Sequence, residues 1–166
     1  MNIRSNARVP AVLAAVWALG AAPAVAATCP APAETPNPVP VHVRAPRAVL
    51  DVRVANDETT REYGLMCVRA LAPNTGMLFV FDDGDSRRAF WMRNTLIPLD
   101  MVFVRKDGTV NNIDANVPAT TVDTPVESLA NYYGTGAFVI ELGAGGAARA
   151  GIVPGTRLDL HGLGPG

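Results

Sequence analysis

The sequence has little net charge, few histidines and none of the common catalytic motifs. Its 14 basic and 15 acidic residues nearly cancel over 166 residues, so no basic surface for nucleic acid is predicted. The two histidines, His42 and His161, lie outside residues 61–141, where the other candidate residues are concentrated. The patterns Gly-x-Ser-x-Gly and His-Glu-x-x-His and the phosphate-binding glycine loop are all missing. These absences favour a non-catalytic protein that needs no cofactor.

Long apolar runs are also missing, except at the N-terminus, which has the three parts of a secretory signal peptide. Arg4 and Arg8 precede an almost wholly apolar stretch from Val9 to Ala22, and small residues follow it up to Ala26. The stretch is shorter than the roughly 20 residues that span a bilayer. We therefore predict a signal peptide over 1–26 and an exported protein, periplasmic or secreted, that is not integral to the membrane after cleavage. An uncleaved N-terminal anchor is the alternative.

Cysteine is scarce: only Cys29 and Cys67 are present, and both remain after signal cleavage. Neither belongs to a Cys-x-x-Cys motif or has a histidine nearby in sequence, which argues against catalytic thiol chemistry. An exported protein meets an oxidising compartment, where the two cysteines can pair. Nothing in the sequence brings them within bridging distance, so the disulfide and the free thiols both remain open.

Glycine and proline, in contrast, are abundant, with 15 and 14 residues, so many turns and no long helices are expected. Six of the prolines lie between Pro30 and Pro46. This composition predicts an extended arm over 27–47 that packs neither as a helix nor as a central strand. A single β-rich domain is predicted over 48–161, followed by a tail over 162–166.

The pattern of this domain is mostly strand. Residues 50–54 alternate between apolar and charged, and residues 77–81 are apolar throughout, as in a buried strand. A short helix is predicted over 57–66, with a capping box between Thr59 and Glu62. The other predicted elements are strands over 89–92, 101–104, 109–114, 137–142 and 157–160 and a helical turn over 145–150. The spacing indicates a mainly β fold, a compact antiparallel barrel or jelly-roll-like sandwich with one or two short helices.

Three runs carry a family resemblance: Gly64-Leu65-Met66, Gly76–Phe79 and Phe90–Asp100, the last reading FWMRNTLIPLD. The sequence resembles the domain-of-unknown-function 192 (DUF192) family, whose signature passes through these runs in this order. Residues 139–155 match the C-terminal part of that family. The resemblance covers about residues 50–160 and implies a mainly β, jelly-roll-like domain with no established reaction.

Seven polar or aromatic side chains form the candidate ligand site: Arg61, Trp91, Arg93, Asn94, Thr95, Asp100 and Glu141. Glu141 lies in an otherwise apolar strand, so its carboxylate needs a partner, and Arg61 or Arg93 is the expected one. Asp100 is expected to accept hydrogen bonds from the turn at Asn94 and Thr95. An arginine fork beside an aromatic wall suits a carboxylate or a sugar. The sequence therefore predicts a cleft near the FWMRNT-IPLD segment that binds a small polar or anionic ligand.

Two other interpretations remain open. The polar residues can instead satisfy one another and hold the shape of the turn, as in a structural or interaction protein. Asp100 and Glu141 are a formal pair for glycoside hydrolysis, which in retaining enzymes needs carboxylates about 5 Å apart, but any exported domain offers such pairs and catalysis is not supported. Met66 and Met92, with Trp91, offer the thioether ligands that select Cu(I). Ordinary core packing is the simpler explanation of these methionines.

Overall fold

A computed structural model describes residues 28–29, 40–160 and 163. Within them lie eight strands and two short helices: β1 (Pro40–Arg44), β2 (Val49–Ala55), α1 (Glu58–Tyr63), β3 (Thr75–Val80), β4 (Ser86–Trp91), β5 (Leu99–Val104), β6 (Val110–Val117), β7 (Asn131–Gly136), β8 (Phe138–Gly143) and α2 (Gly146–Ala150). A 3-10 turn at Val126–Ser128 precedes β7. The signal peptide predicted over 1–26, and all of the predicted tail except Leu163, lie outside the described residues.

Six strands form one sheet in the order β1-β2-β3-β8-β5-β6, and β4 pairs with β7 in a second, two-stranded sheet. The small sheet lies on one face of the large one, where β7 packs against β5 and β6. Helix α2 and the segment after it cover the opposite face. The predicted mainly β sandwich with short helices is confirmed, whereas the barrel alternative is wrong because the described sheets do not close.

Two apolar clusters form the core, one on each face of the large sheet. On the α2 face, Leu78, Ile140 and Val102 lie side by side on β3, β8 and β5, while Phe79 and Phe103 belong to the face under β4 and β7. Strands that are covered on both faces have near-continuous apolar sequences, which is what residues 77–81 and 101–104 show. The sequence pattern therefore identifies the central strands correctly.

The pairing of β2 with β3 corrects the prediction of an all-antiparallel sheet. These strands run parallel, with Val52 opposite Gly76 and Val54 opposite Leu78. Parallel neighbours require a crossover connection, and here α1 and the loop up to residue 74 supply it. This crossover brings the C-terminal end of α1 to the face of the large sheet that also carries β4.

Strand β1 lies inside the segment that was predicted to be an unpacked arm, so the predicted domain start at residue 48 is wrong by eight residues. Residues Pro40–Arg44 pair antiparallel with β2 at the edge of the large sheet. Proline is compatible with an edge strand at its first position, where Pro40 lies. The remaining prolines hid this short strand in the sequence pattern.

Helix α1 is shorter than predicted, and its capping box lies two residues earlier. The Asp57 side chain accepts a 2.8 Å hydrogen bond from the Thr60 N–H, and the Thr60 hydroxyl accepts one of 3.3 Å from the Asp57 N–H. The helix ends at Tyr63, and its C-cap Gly64 has a φ of 51° and a ψ of −129°, a combination that glycine adopts readily. The predicted pair of Thr59 and Glu62 therefore does not cap the helix.

Two further elements differ from the sequence prediction. Residues 157–160 form isolated bridges to Thr109 and Arg44 rather than a strand. Strand β7 was not predicted, because glycines interrupt its pattern. Gly134 is required there: a Cβ at this position would lie 2.1 Å from the Phe103 ring.

Cys29 and Cys67 form a disulfide, with their Cα atoms 5.6 Å apart. It joins the segment before β1 to the loop after α1. We expect the double variant Cys29→Ser/Cys67→Ser to lose about 3 kcal/mol of unfolding free energy, because the bridge restricts the unfolded chain. Urea unfolding with and without reductant measures the difference. Reductant should destabilise the natural protein and leave the double variant unaffected; an unchanged natural protein would contradict the pairing.

Candidate functional site

Glu141 is a buried carboxyl group in the middle of β8. It lies between Met77 of β3 and Met101 of β5 in the register of the large sheet, and its exposed fraction is 4%. No hydrogen bond or ion pair joins its carboxyl to any other residue in the described part of the chain. Desolvation raises the pKa of Glu141 to about 8. The group is therefore mainly protonated at neutral pH and can donate a hydrogen bond.

A small cavity reaches Glu141 from the surface. It has a volume of about 30 Å³, enough for about one water molecule. Its lining combines α1, the loop after it, β3 and the β4–β5 segment: Arg61, Glu62, Tyr63, Gly64, Leu65, Met66, Phe79, Phe90, Trp91, Arg93, Thr95 and Glu141. The structure thus brings together five of the seven predicted site residues, Arg61, Trp91, Arg93, Thr95 and Glu141.

The two arginines of the cavity do not pair with Glu141, so the predicted ion pair is wrong. The Arg61 Nη1 donates a 3.0 Å hydrogen bond to the Val80 carbonyl, and its guanidinium carbon lies 5.4 Å from the centroid of the Phe81 ring. The Arg93 guanidinium lies 5.6 Å from the Trp91 ring. Contacts with aromatic faces hold both cations at the rim.

The turn between β4 and β5 shapes the cavity through its backbone. Asn94 has a φ of 51° and its carbonyl accepts a 2.8 Å hydrogen bond from the Cys67 N–H, so the turn is tied to the disulfide loop. Thr95 is buried, and its hydroxyl donates to the Arg93 carbonyl over 3.2 Å. Asn94 is not part of the cavity lining, and its contribution is the conformation of this turn.

Asp100 belongs to a different part of the molecule. Its Oδ1 accepts hydrogen bonds from the N–H groups of Asn116 (2.9 Å) and Gly145 (3.1 Å), and its Oδ2 accepts one from Ala147 (2.9 Å). The predicted bonds from the Asn94–Thr95 turn are therefore wrong, since Asp100 holds the start of α2 and the end of β6.

Asp100 and Glu141 lie on opposite faces of the large sheet, because Glu141 is opposite Met101 while Asp100 is opposite Leu142. This geometry excludes them as a pair for glycoside hydrolysis, which requires both carboxylates on one substrate.

A larger groove of about 310 Å³ lies beside the cavity, between α1 and β4. Sequence reasoning missed its phenylalanines, Phe79, Phe81 and Phe90. Phe90 makes edge-to-face contacts with Phe79 and Phe81, at centroid distances of 5.0 and 6.4 Å. The alternating pattern of β4 could have identified Phe90 as a lining residue. Phe90 points inward along this strand, whereas its neighbour Trp91 points outward and is 38% exposed.

The methionines of the copper alternative occupy different environments. Met66 lines the cavity, whereas Met92 is buried in the apolar cluster under the small sheet. Among the described residues, no group of three or more histidine, cysteine, aspartate or glutamate side chains is arranged to hold a metal ion. The copper alternative remains a prediction.

The described residues include no helix long and apolar enough to cross a membrane.

Comparison with known proteins identifies the family. The model of the DUF192 family, described as "Uncharacterized ACR", matches residues 41–160. A protein from Sinorhizobium meliloti described as a "putative transcription regulator" has 37% identity and a TM-score of 0.63, over 73% of this chain and 93% of that one. A protein of unknown function from Novosphingobium aromaticivorans has 35% identity and a TM-score of 0.59, over 81% of this chain and 94% of that one. No curated protein matches. The chain therefore belongs to the DUF192 family.

Proposed function

We propose that the protein is an exported, non-catalytic binding module that holds a small polar or anionic ligand at the mouth of the Glu141 cavity. The observation that supports this most is the Glu141 carboxyl, which borders the cavity and makes no side-chain hydrogen bond or ion pair with the described residues. A buried polar group costs free energy unless it is hydrogen-bonded. A ligand atom that accepts the Glu141 proton supplies the missing bond.

The charges at the rim favour an anion over a cation. Arg61 and Arg93 both line the cavity, and the single side-chain hydrogen bond of Arg61 to Val80 leaves its other N–H groups for a ligand. Protonated Glu141 adds a neutral donor at the base. The acidic side chain of Glu62 also lines the cavity, so two arginines outweigh one acidic residue at the rim, and the net positive charge favours an anionic group over a cation.

The first test asks whether the protein binds small anions at this site. Native mass spectrometry of protein purified gently from its own host should show a retained small molecule. In NMR titrations with acetate at pH 6.5, the amide signals of the cavity residues should shift. Arg93→Gln should weaken acetate binding about tenfold, because a charge-assisted bond is lost. The matched control is Arg105→Gln, an exposed arginine outside the cavity whose side chain donates a hydrogen bond to Asn111; the acetate affinity of this variant should be unchanged.

The second test uses the protonation of Glu141. Acetate binding requires the neutral acid, so its affinity should fall about tenfold for each pH unit above about 8, where Glu141 ionises. Glu141→Gln keeps a neutral donor of the same size and should bind acetate without this pH dependence. If acetate shifts no cavity signal and no molecule is retained, the binding function is refuted and a structural role for the polar residues is favoured.

A further inference from the structure

The groove between α1 and β4 and the Glu141 cavity form one continuous site. Five residues line both: Arg61, Glu62, Phe79, Phe90 and Trp91. The cavity accepts a group of the size of one water molecule, while the groove, at about 310 Å³, is at the small end of the volumes found for ligand pockets. A ligand that fills both has a small head and a larger body.

One side of the groove is apolar and the other is charged, which describes the body of this ligand. Phe79, Phe81, Ala89, Phe90 and Trp91 contribute to it, and its remaining lining residues are the three charged residues of α1. A sugar needs hydrogen bonds around its whole ring, whereas the charged side chains of this groove all come from α1. A flat ring or an acyl chain needs apolar contact along one side, which Phe81, Phe90 and Trp91 provide.

The charges differ between the cavity end and the groove end of the site, and this difference orients the ligand. Arg93 lines the cavity but not the groove, whereas Glu58 lines the groove but not the cavity. A carboxylate is therefore attracted to the cavity end and repelled at the far end of the groove. Protonated Glu141 lies at the attractive end and can share a hydrogen bond with a carboxylate oxygen.

We infer that the ligand is a carboxylic acid with an aromatic or acyl body, bound with its carboxylate at the mouth of the Glu141 cavity, where one oxygen enters, and with its body in the groove between α1 and β4. This inference rests on the proposed function and narrows its ligand to one chemical class.

Titration of the full chain with four probes tests both this inference and the proposed function on which it rests. Phenylacetate should bind at least about tenfold more tightly than acetate, because its ring is buried in the groove. Galacturonate, an acid with a polar body, should gain nothing over acetate, and 2-phenylethylamine, with the charge reversed, should bind more weakly than any of the three acids. Equal affinity for phenylacetate, acetate and galacturonate would overturn this inference and leave the proposed function standing. No binding of any acid would overturn both.

A variant that fills the groove locates the body of the ligand. Ala89 lies on the exposed side of β4 and lines the groove, so Ala89→Phe should block it without disturbing the core. The affinity of this variant for phenylacetate should fall to that for acetate, while its acetate affinity stays within about twofold of the natural protein. The matched control is Ala148→Phe, an exposed position on α2 at the opposite face of the sheet. Loss of phenylacetate binding in both variants, or in neither, would contradict the placement.

Discussion

Raising the pH from 5 to 8 should lower the free energy of unfolding of this protein by about 4 kcal/mol, and Glu141→Gln should remove this loss. The native pKa of Glu141 is about 8, against an ordinary value of 4.5. Between these two values, the folded protein holds a proton that the unfolded chain has released. Stability is therefore highest below about pH 4.5 as far as this group is concerned, and it falls by about 1.4 kcal/mol per pH unit as the pH rises toward 8.

The other perturbed carboxyls do not produce this slope. Hydrogen bonds lower the pKa values of Asp57, Asp83 and Asp107, so these groups are ionised above pH 5 in both states. Their contribution is lost only as the pH falls below their ordinary range, which has the opposite sign. Burial raises the pKa of Asp114, which is half-buried, so this group adds an effect of the same sign as Glu141 that Glu141→Gln leaves in place.

Urea unfolding at pH 5, 6, 7 and 8 in the absence of reductant measures the slope. Glu141→Gln should show a nearly flat profile, because its amide cannot ionise. Glu62→Gln is the matched control, an exposed glutamate of α1 at the same cavity, and it should keep the slope of the natural protein. A flat profile for the natural protein would mean that ionised Glu141 finds a cation, as the sequence-based pairing with Arg61 or Arg93 assumed.

The sequence predicts the central part of this fold well because two-sided burial leaves a direct pattern. Apart from Glu141, residues 77–81, 101–104 and 137–142 are apolar on both sides of the chain, and β3, β5 and β8 are the strands covered by a layer on each face. Edges are harder. Strand β1 begins at a proline, and β7 contains a glycine because the Phe103 ring occupies the side-chain space at Gly134. Those patterns reflect tertiary contacts that local propensity cannot express.

Part of the candidate site could be predicted because some of its residues stand out in the sequence. The unusual glutamate in an apolar strand identified Glu141, and the FWMRNT run supplied Trp91, Arg93 and Thr95. The error on Asp100 came from register: one residue along β5 reverses the face of the sheet, and the sequence does not show which residue of β8 lies opposite Met101. The partners of Asp100 are backbone N–H groups, which leave no trace in side-chain identity.

Asp100→Ala should lower the free energy of unfolding by about 4 kcal/mol and leave acetate binding at the Glu141 cavity unchanged. The side chain is 1% exposed and accepts hydrogen bonds from Asn116, Gly145 and Ala147. Its removal leaves three backbone donors without their partner, and the Ala147 N–H is buried. Asp100→Asn keeps one acceptor oxygen and loses the charge, so we expect it to cost about half as much.

Comparing stability with affinity separates this structural role from the predicted ligand contact. Thermal and urea unfolding report the first, and NMR titration with acetate below the midpoint of unfolding reports the second. Asp123→Ala, at an exposed position outside the strands and helices, is the control and should change neither. An Asp100→Asn variant of normal stability with weakened acetate binding would show that Asp100 contacts the ligand and would contradict its structural role. The opposite faces of Asp100 and Glu141 on the sheet require the reverse: lost stability with intact affinity.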